Sequence, residues 1–518
     1  MMRSQFRFLA QVGIGALLVA SGAFAQQPAP APAPVAPAPV APAQPTPAQP
    51  PTAQPAPAPV PVTPAPAEPA PLAPAAPAPA APPPIVLEPP PEEAPERPLA
   101  APVLHGVPPE VDALPWYDTI EFRAFVDGYF SMNWALPKPQ ADANQIARAY
   151  DTSNGFALSW VGVDATYPAE PVGGTVSLRF GPTAERIAKS CFGGTCDSQV
   201  GLSIVKQAFA SWRPLNALSF DFGKFDTIYG AEVAESQDNM NYTRGIVYWF
   251  TQPLFHTGLR VNASLTDNLT LRGLVVNGWN NTLDNNLGKS LGVQLGLNLP
   301  RSGDGGTLLA ASVGYLGGPE QPDYATVQCN PDNQYFNPSD PSGCSPGAPG
   351  GGPTSGTVDR ASSNTKGLRH LIDFVATLTP MEQLMLQGNF TVDIERVRDT
   401  ADPTRFVQHT WWGAMLGARY SFVDEFAIAA RGEYLADPDA YATSVATIFA
   451  PADPNTPPPK NLKIASATLT LDYRPADYLI LRLDNRIDWS NLEIFPKSVR
   501  DLTGVMPTTT LGVVVTTN

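Results

Sequence analysis

From Trp116 onward the chain is a succession of segments about ten residues long in which apolar and polar residues alternate. Period-2 alternation gives an extended strand one apolar and one polar face. Leu291, Val293, Leu295, Leu297 and Leu299 stand against Gly292, Gln294, Gly296 and Asn298. Leu384, Leu386, Phe390, Val392 and Ile394 stand against Gln387, Asn389, Thr391, Asp393 and Glu395. Leu479, Leu481, Leu483 and Ile487 stand against Arg482, Asp484, Arg486 and Asp488. Four charges on one face and apolar residues on the other suit a strand between water and lipid better than a soluble sandwich strand.

The connections narrow the choice further. Short turns fall near residues 168–173, 213–217, 266–268, 300–305, 379–382, 423–425 and 474–477. Longer loops fall at about 135–154, 181–199, 225–255, 279–287, 317–366, 396–405, 437–461 and 490–506. Short and long alternate strictly. The expected fold is all-β: an antiparallel up-and-down transmembrane barrel of about 16 strands, with short turns on the periplasmic side and long loops outside. The segments 155–167 and 200–212 alternate poorly, so 14 or 18 strands stay open. Trp134, Trp160, Trp212, Trp412, Tyr420, Phe422, Tyr434, Tyr473, Tyr478 and Trp489 lie near strand ends, where interfacial girdles place aromatics.

The residues before Trp116 divide in two. Arg3 and Arg7 precede an apolar run from Leu9 to Ala20, and Ala23-Phe24-Ala25 supplies a small-x-small site. Residues 1–25 read as a secretory signal peptide. Residues 26–115 are rich in Pro and Ala and hold most of the chain's 61 prolines. Proline removes amide donors and fixes φ, so a disordered, extended periplasmic linker is expected. It is either a contact to the periplasm or cell wall, or a tail without a partner.

Net charge is −15, and no Lys/Arg run occurs, which argues against nucleic acid as a partner. No later segment offers 18 consecutive apolar residues, so a helical membrane protein is excluded while a barrel is not. The cysteines fall as Cys191/Cys196 and Cys329/Cys344, each pair in a Gly- or Pro-rich stretch. With an export signal, two local disulfides are the natural reading, and the absence of nearby histidines disfavours metal.

By the alternation, Arg123, Asp127, Arg260, Arg272, Arg482 and Arg486 face the lumen. The 225–255 loop adds Asp226, Glu232, Glu235 and Asp238 against Arg244. Folded inward, it would narrow the pore, and its acidic excess would favour cations; the alternative is that these charges neutralise one another and solvate the wall. Nothing here assembles a catalytic set. The four histidines have no evident serine partner and no G-x-S-x-G occurs, so no enzyme and no cofactor is expected.

The segment GKFDTIYGAEVAESQDNMNYTRG, followed by TGLRVNAS and TLRGLVVNGWNN, resembles the OmpL-like outer-membrane β-barrel porins. The matching positions are Gly223, Lys224, Phe225, Tyr229, Gly230, Glu232, Glu235, Ser236, Asn239, Tyr242, Thr243 and Arg244, then Val276, Asn277, Gly278, Trp279 and Asn280. The resemblance covers roughly residues 116–518 and implies a porin-type barrel in the outer membrane of a Gram-negative bacterium. The end, Leu511 to Asn518, alternates without the terminal aromatic usual in such barrels. The expected function is passive diffusion of small hydrophilic solutes or ions, with outer-membrane lipid around the barrel. A homotrimer stays open. The rival is a structural or adhesive surface barrel tethered through its Pro-rich tail.

Overall fold

The computed structural model describes residues 119–137, 146–190, 196–303, 305–321, 324–328, 355–359, 366–399, 406–448, 458–497 and 501–517. The expected signal peptide and linker lie outside the described residues, as do Cys191, Cys329 and Cys344. Cys196 is described, its amide bonding Gln199 Oε1 at 2.9 Å.

Sixteen strands close into one antiparallel barrel. They are β1 (Glu121–Asn133), β2 (Gly155–Tyr167), β3 (Val172–Phe180), β4 (Val205–Leu215), β5 (Leu218–Asp226), β6 (Phe255–Thr266), β7 (Leu269–Val276) and β8 (Ser290–Pro300). The second half is β9 (Thr307–Pro319), β10 (Leu368–Met381), β11 (Leu384–Arg398), β12 (Phe406–Val423), β13 (Phe426–Asp437), β14 (Leu462–Ala476), β15 (Leu479–Ser490) and β16 (Val505–Thr516). Each strand pairs with its sequence neighbour, and β16 pairs with β1 to remove both edges. The turns and loops fall where the sequence places them. Two small hairpins sit in outer loops: Tyr324–Gln328 with Ser355–Asp359, and Phe495–Pro496 with Leu502–Thr503.

Face by face the alternation holds. Phe222 and Leu416, about 70% bare, point outward, while Asp393, Asp484 and Arg486 are buried inside. Large apolar side chains exposed in bands around a closed barrel are what hydrocarbon covers. The two poorly alternating segments are real strands with β-bulges. Asp127 faces Trp160 but Gly128 faces Leu158, so Ser159 is the extra residue of β2. Ser177 faces Gln207 but Leu178 faces Val205, so Lys206 is the extra residue of β4. A bulge shifts the phase of inside and outside by one. Hence Trp160 is no girdle residue. It is fully buried in the lumen, with its ring 5.8 Å from that of Phe125 and under the Arg179 guanidinium.

Candidate functional site

Between β5 and β6 the chain leaves the wall at Asp226 and returns at Phe255, residues that face each other across the ladder. The intervening segment does not extend outward. Tyr229, Asn241, Tyr242, Thr243, Arg244, Ile246, Val247 and Tyr248 are all buried. Their partners are wall groups from around the barrel. Tyr229 Oη donates to Tyr315 O on β9 at 2.8 Å, and Gly230 N to Asp373 on β10 at 2.9 Å. Asn241 Nδ2 donates to Thr470 on β14 at 2.6 Å, and Thr243 N to Asp484 on β15 at 2.8 Å. Ser236 Oγ and Tyr242 Oη both donate to Asp127 on β1, each at 2.7 Å. Three wall aspartates thus hold the segment through its N–H and O–H groups. Fixing so many donors holds one path across a water-accessible bore.

Wall glycines make room for the segment. The Tyr242 ring lies over Gly512 of β16, where an added Cβ would come within 2.0 Å of it. The Tyr229 ring lies over Gly314 and its hydroxyl over Gly292; the thioether methyl of Met240 lies over Gly417. A side chain at any of these positions would push the segment off the wall.

Every acid of the segment finds a base. Asp226 meets Lys206 at 2.5 Å, and Asp238 meets Arg123 at 2.8 Å. Glu232 meets Arg431 at 2.5 Å and accepts Gly245 N–H at 2.8 Å. Glu235 meets Arg179 at 2.7 Å and Lys206 at 2.9 Å. Burial by itself pushes the Glu235 carboxyl up, but Lys206 and Arg179 outweigh it and hold it at about 2. For Glu232, burial outweighs Arg431 and the carboxyl sits above its ordinary range. With its acids matched in this way, the segment gives the expected cation bias no basis.

The remaining sequence-selected residues divide between two levels. Arg244 and Arg486 lie deep. Arg244 donates to the carbonyls of Ala234 and Tyr242 and lies over the Tyr150 ring. Arg486 pairs with Asp488 at 2.8 Å and donates to the carbonyls of Arg244 and Ala147. Arg123, Arg260, Arg272 and Arg482 lie toward the short-turn end. Arg260 pairs with Asp221 at 2.9 Å and lies over the Phe225 ring. Among the described residues Arg272 bonds only Gln294 Oε1, at 3.0 Å, and it remains exposed. A cleft of about 340 Å³ opens here, lined by Arg260, Asn262 and Arg272 of the wall and by the start of the segment.

Sequence reasoning missed several participants. Lys206 was hidden by its bulge. Asp373 and Arg474 alternate inward, but no local signal sets them apart. Residues 146–152 of the first loop are folded in as well, with Ala147, Arg148 and Ala149 fully buried. Nothing in that stretch marks it as interior except Ala-Arg-Ala-Tyr among polar neighbours.

A closed sixteen-stranded barrel, apolar outside, charged inside and crossed by one long inward segment, defines the porin class of membrane protein. Residues 119–516 match the family described as "Putative beta-barrel porin-2, OmpL-like", and the chain belongs to that family. It is accordingly an outer-membrane porin of a Gram-negative bacterium, a passive diffusion channel. Among curated proteins no relative matches. Similar solved structures include OmpT of Vibrio cholerae (11% identity, TM-score 0.43, covering 77% of this chain and 97% of that one). DcaP of Acinetobacter baumannii is similar too (10%, TM-score 0.44, 77% and 97%), as is OmpF of Salmonella typhi (12%, TM-score 0.42, 78% and 99%). Likeness this distant carries nothing about solutes.

Proposed function

We propose that small hydrophilic solutes or ions cross this barrel passively, and that the 225–255 segment is the constriction they must pass. The observation behind this reading is the chain of bonds tying the segment to β1, β9, β10, β14 and β15. In this reading Asp226, Glu232, Glu235, Asp238 and Arg244 belong to the constriction. Arg123, Asp127, Arg260, Arg272, Arg482 and Arg486 belong to the wall around it. The protein acts as a channel and not as an enzyme.

Residues 1–25 serve as a cleaved leader and residues 26–115 as a periplasmic linker in contact with the periplasm or cell wall. Cys191 pairs with Cys196 and Cys329 with Cys344. Outer-membrane lipid surrounds the barrel, and a homotrimer is its proposed assembly.

The test is single-channel recording from the full-length protein in planar bilayers. Asp226 and Phe255 are already register partners, so a short Gly-Asn turn can replace residues 229–252 without breaking the wall. Conductance is expected to rise several-fold on that replacement. Equal conductance in both forms would remove the constriction from this segment. Silence in both forms would favour the surface-barrel alternative.

A further inference from the structure

The turn-side lumen carries charge that its own acids do not neutralise. On one wall, three guanidinium groups converge on a single carboxylate oxygen. Arg419 Nη2 lies 3.2 Å, Arg474 Nη2 3.5 Å and Arg482 Nη2 3.1 Å from Asp472 Oδ2. The sequence sets this up across four adjacent strands. Asp472 on β14 is the register partner of Arg482 on β15 and of Ala427 on β13, and Ala429 is the partner of Arg419 on β12. Ala427 and Ala429 both face inward, so Arg419 reaches over β13 to the carboxylate with no side chain in its way.

One carboxylate in contact with three guanidiniums leaves a local surplus of positive charge, which Asp484, the next carboxylate to act on Arg482, offsets only in part. The other hydrogen bonds of these arginines go to neutral groups: Arg419 Nη1 donates to Ser421 Oγ at 2.6 Å, and Arg482 Nη1 to Ser236 O. Among the described residues, Nε of Arg474 and of Arg482 has no hydrogen-bond partner. Arg474 and Arg419 still reach lumen water, with side chains 36% and 22% exposed. The opposite wall repeats the imbalance. β6 and β7 stand eight strands from β14 and β15, and there Arg260 pairs with Asp221 while Arg272 meets the neutral Gln294. The short turns carry acids of their own, such as Asp424, Glu425 and Asp477, but these stand in bulk water. There, charge is screened within about 8 Å at physiological ionic strength.

We propose that this inner vestibule binds small phosphate-class oxyanions, on the Arg419–Arg474–Arg482 cluster with Arg272 opposite. Guanidinium forks match the tetrahedral oxyanion geometry and donate to it without changing charge state. A mouth so lined concentrates anions ahead of the constriction. The proposal deepens the passive-channel reading, but binding itself is measured without current.

The test titrates inorganic phosphate into the full-length protein in detergent and follows phosphorus NMR line width. Broadening is expected for the wild type at millimolar phosphate. It should be at least fivefold weaker in R419Q/R474Q, and weakened in R272Q. Arg482 is left alone because it also holds Ser236. Heat-modifiable mobility on a gel checks that each variant is folded, and R474Q alone, at the exposed rim, serves if the double variant is not. No broadening in the wild type, or equal broadening in the folded variants, would overturn the proposal. A cation-sign reversal potential in a conducting wild type would also overturn it, whereas a silent barrel that still binds phosphate would count against the channel reading alone.

Discussion

The outer and inner parts of this lumen are made by the same sixteen strands and the same alternation, yet they are different materials. Toward the loops, the inward face is packed. Trp160, Leu371, Trp411, Leu435, Ile464 and Met506 are buried beneath residues 146–152, the 225–255 segment and the loop at 440–446. Toward the turns, inward residues such as Arg272, Arg419 and Arg474 face water. Strand patterning therefore decides which side chains point in, and the long loops decide which of those are wet. An ion pair means something different in each region. In the packed part, losing one partner strands the other charge in low dielectric; in the vestibule, water takes its place.

The largest effect is expected where that difference is greatest. Arg431 sits between Glu232 at 2.5 Å and Glu433 at 3.0 Å, and all three are buried. Arg431→Ala leaves two uncompensated carboxylates and is expected to cost about 3–5 kcal/mol. Urea unfolding in detergent, followed by tryptophan fluorescence, measures this. A loss under about 1 kcal/mol, the range of exposed pairs, would mean that the outer lumen is as wet as the inner.

Next comes the fit of the segment against the wall. Gly512→Val places methyl groups where the Tyr242 ring now lies, and overpacking of this kind costs about 1–3 kcal/mol. The same change at Gly432, whose added Cβ meets nothing within 4 Å, is the control. Equal unfolding midpoints for the two variants would show that Tyr242 is not seated on β16.

Acid–base behaviour sharpens the contrast within the packed region. Glu320, just beyond β9, accepts Trp279 N–H and the Ser290 hydroxyl, each at 2.8 Å. Burial pushes its carboxyl up to about 7 despite those bonds. A carboxyl raised on folding stabilises the protonated form. Its contribution is complete below about 4.5 and is lost as pH rises through about 7. Glu235 runs the opposite way. Its contribution is present above about 4.5 and is lost as pH falls toward about 2. Trp279 emission in the wild type should therefore change between pH 5 and 8 and stay flat in Glu320→Gln. A titration that survives in the variant would assign it elsewhere.

The sequence carried the barrel almost whole, because inside–outside alternation and turn length are local properties. It counted β2 and β4 but left their faces poorly defined for one physical reason: a bulge inverts phase mid-strand, which is also how Trp160 comes to look like a girdle residue. At the site, it identified the acids of the 225–255 segment and placed Arg123 in the lumen, but did not show which acid meets which base. Glu232 meets Arg431 across 199 positions and Asp238 meets Arg123 across 115, separations that no local pattern encodes. Net acidity suggested a cation bias for the same reason. Net charge is a property of the segment alone, whereas the field in the lumen depends on which wall residue stands opposite.

The smallest effect should come from Arg123 and Asp238, although their geometry is the best of all: two parallel bonds of 2.8 and 2.9 Å. Both side chains are more than a third exposed. Water already solvates each group, and a fork of this kind contributes about 0–1 kcal/mol. Arg123→Gln should therefore leave the unfolding midpoint nearly unchanged while Arg431→Ala moves it far, even though each removes one arginine from one acid of the same segment. A double-mutant cycle with Asp238→Asn gives the coupling directly. Coupling above about 2 kcal/mol would place this end of the segment in the packed lumen and move the boundary between the two regions toward the turns.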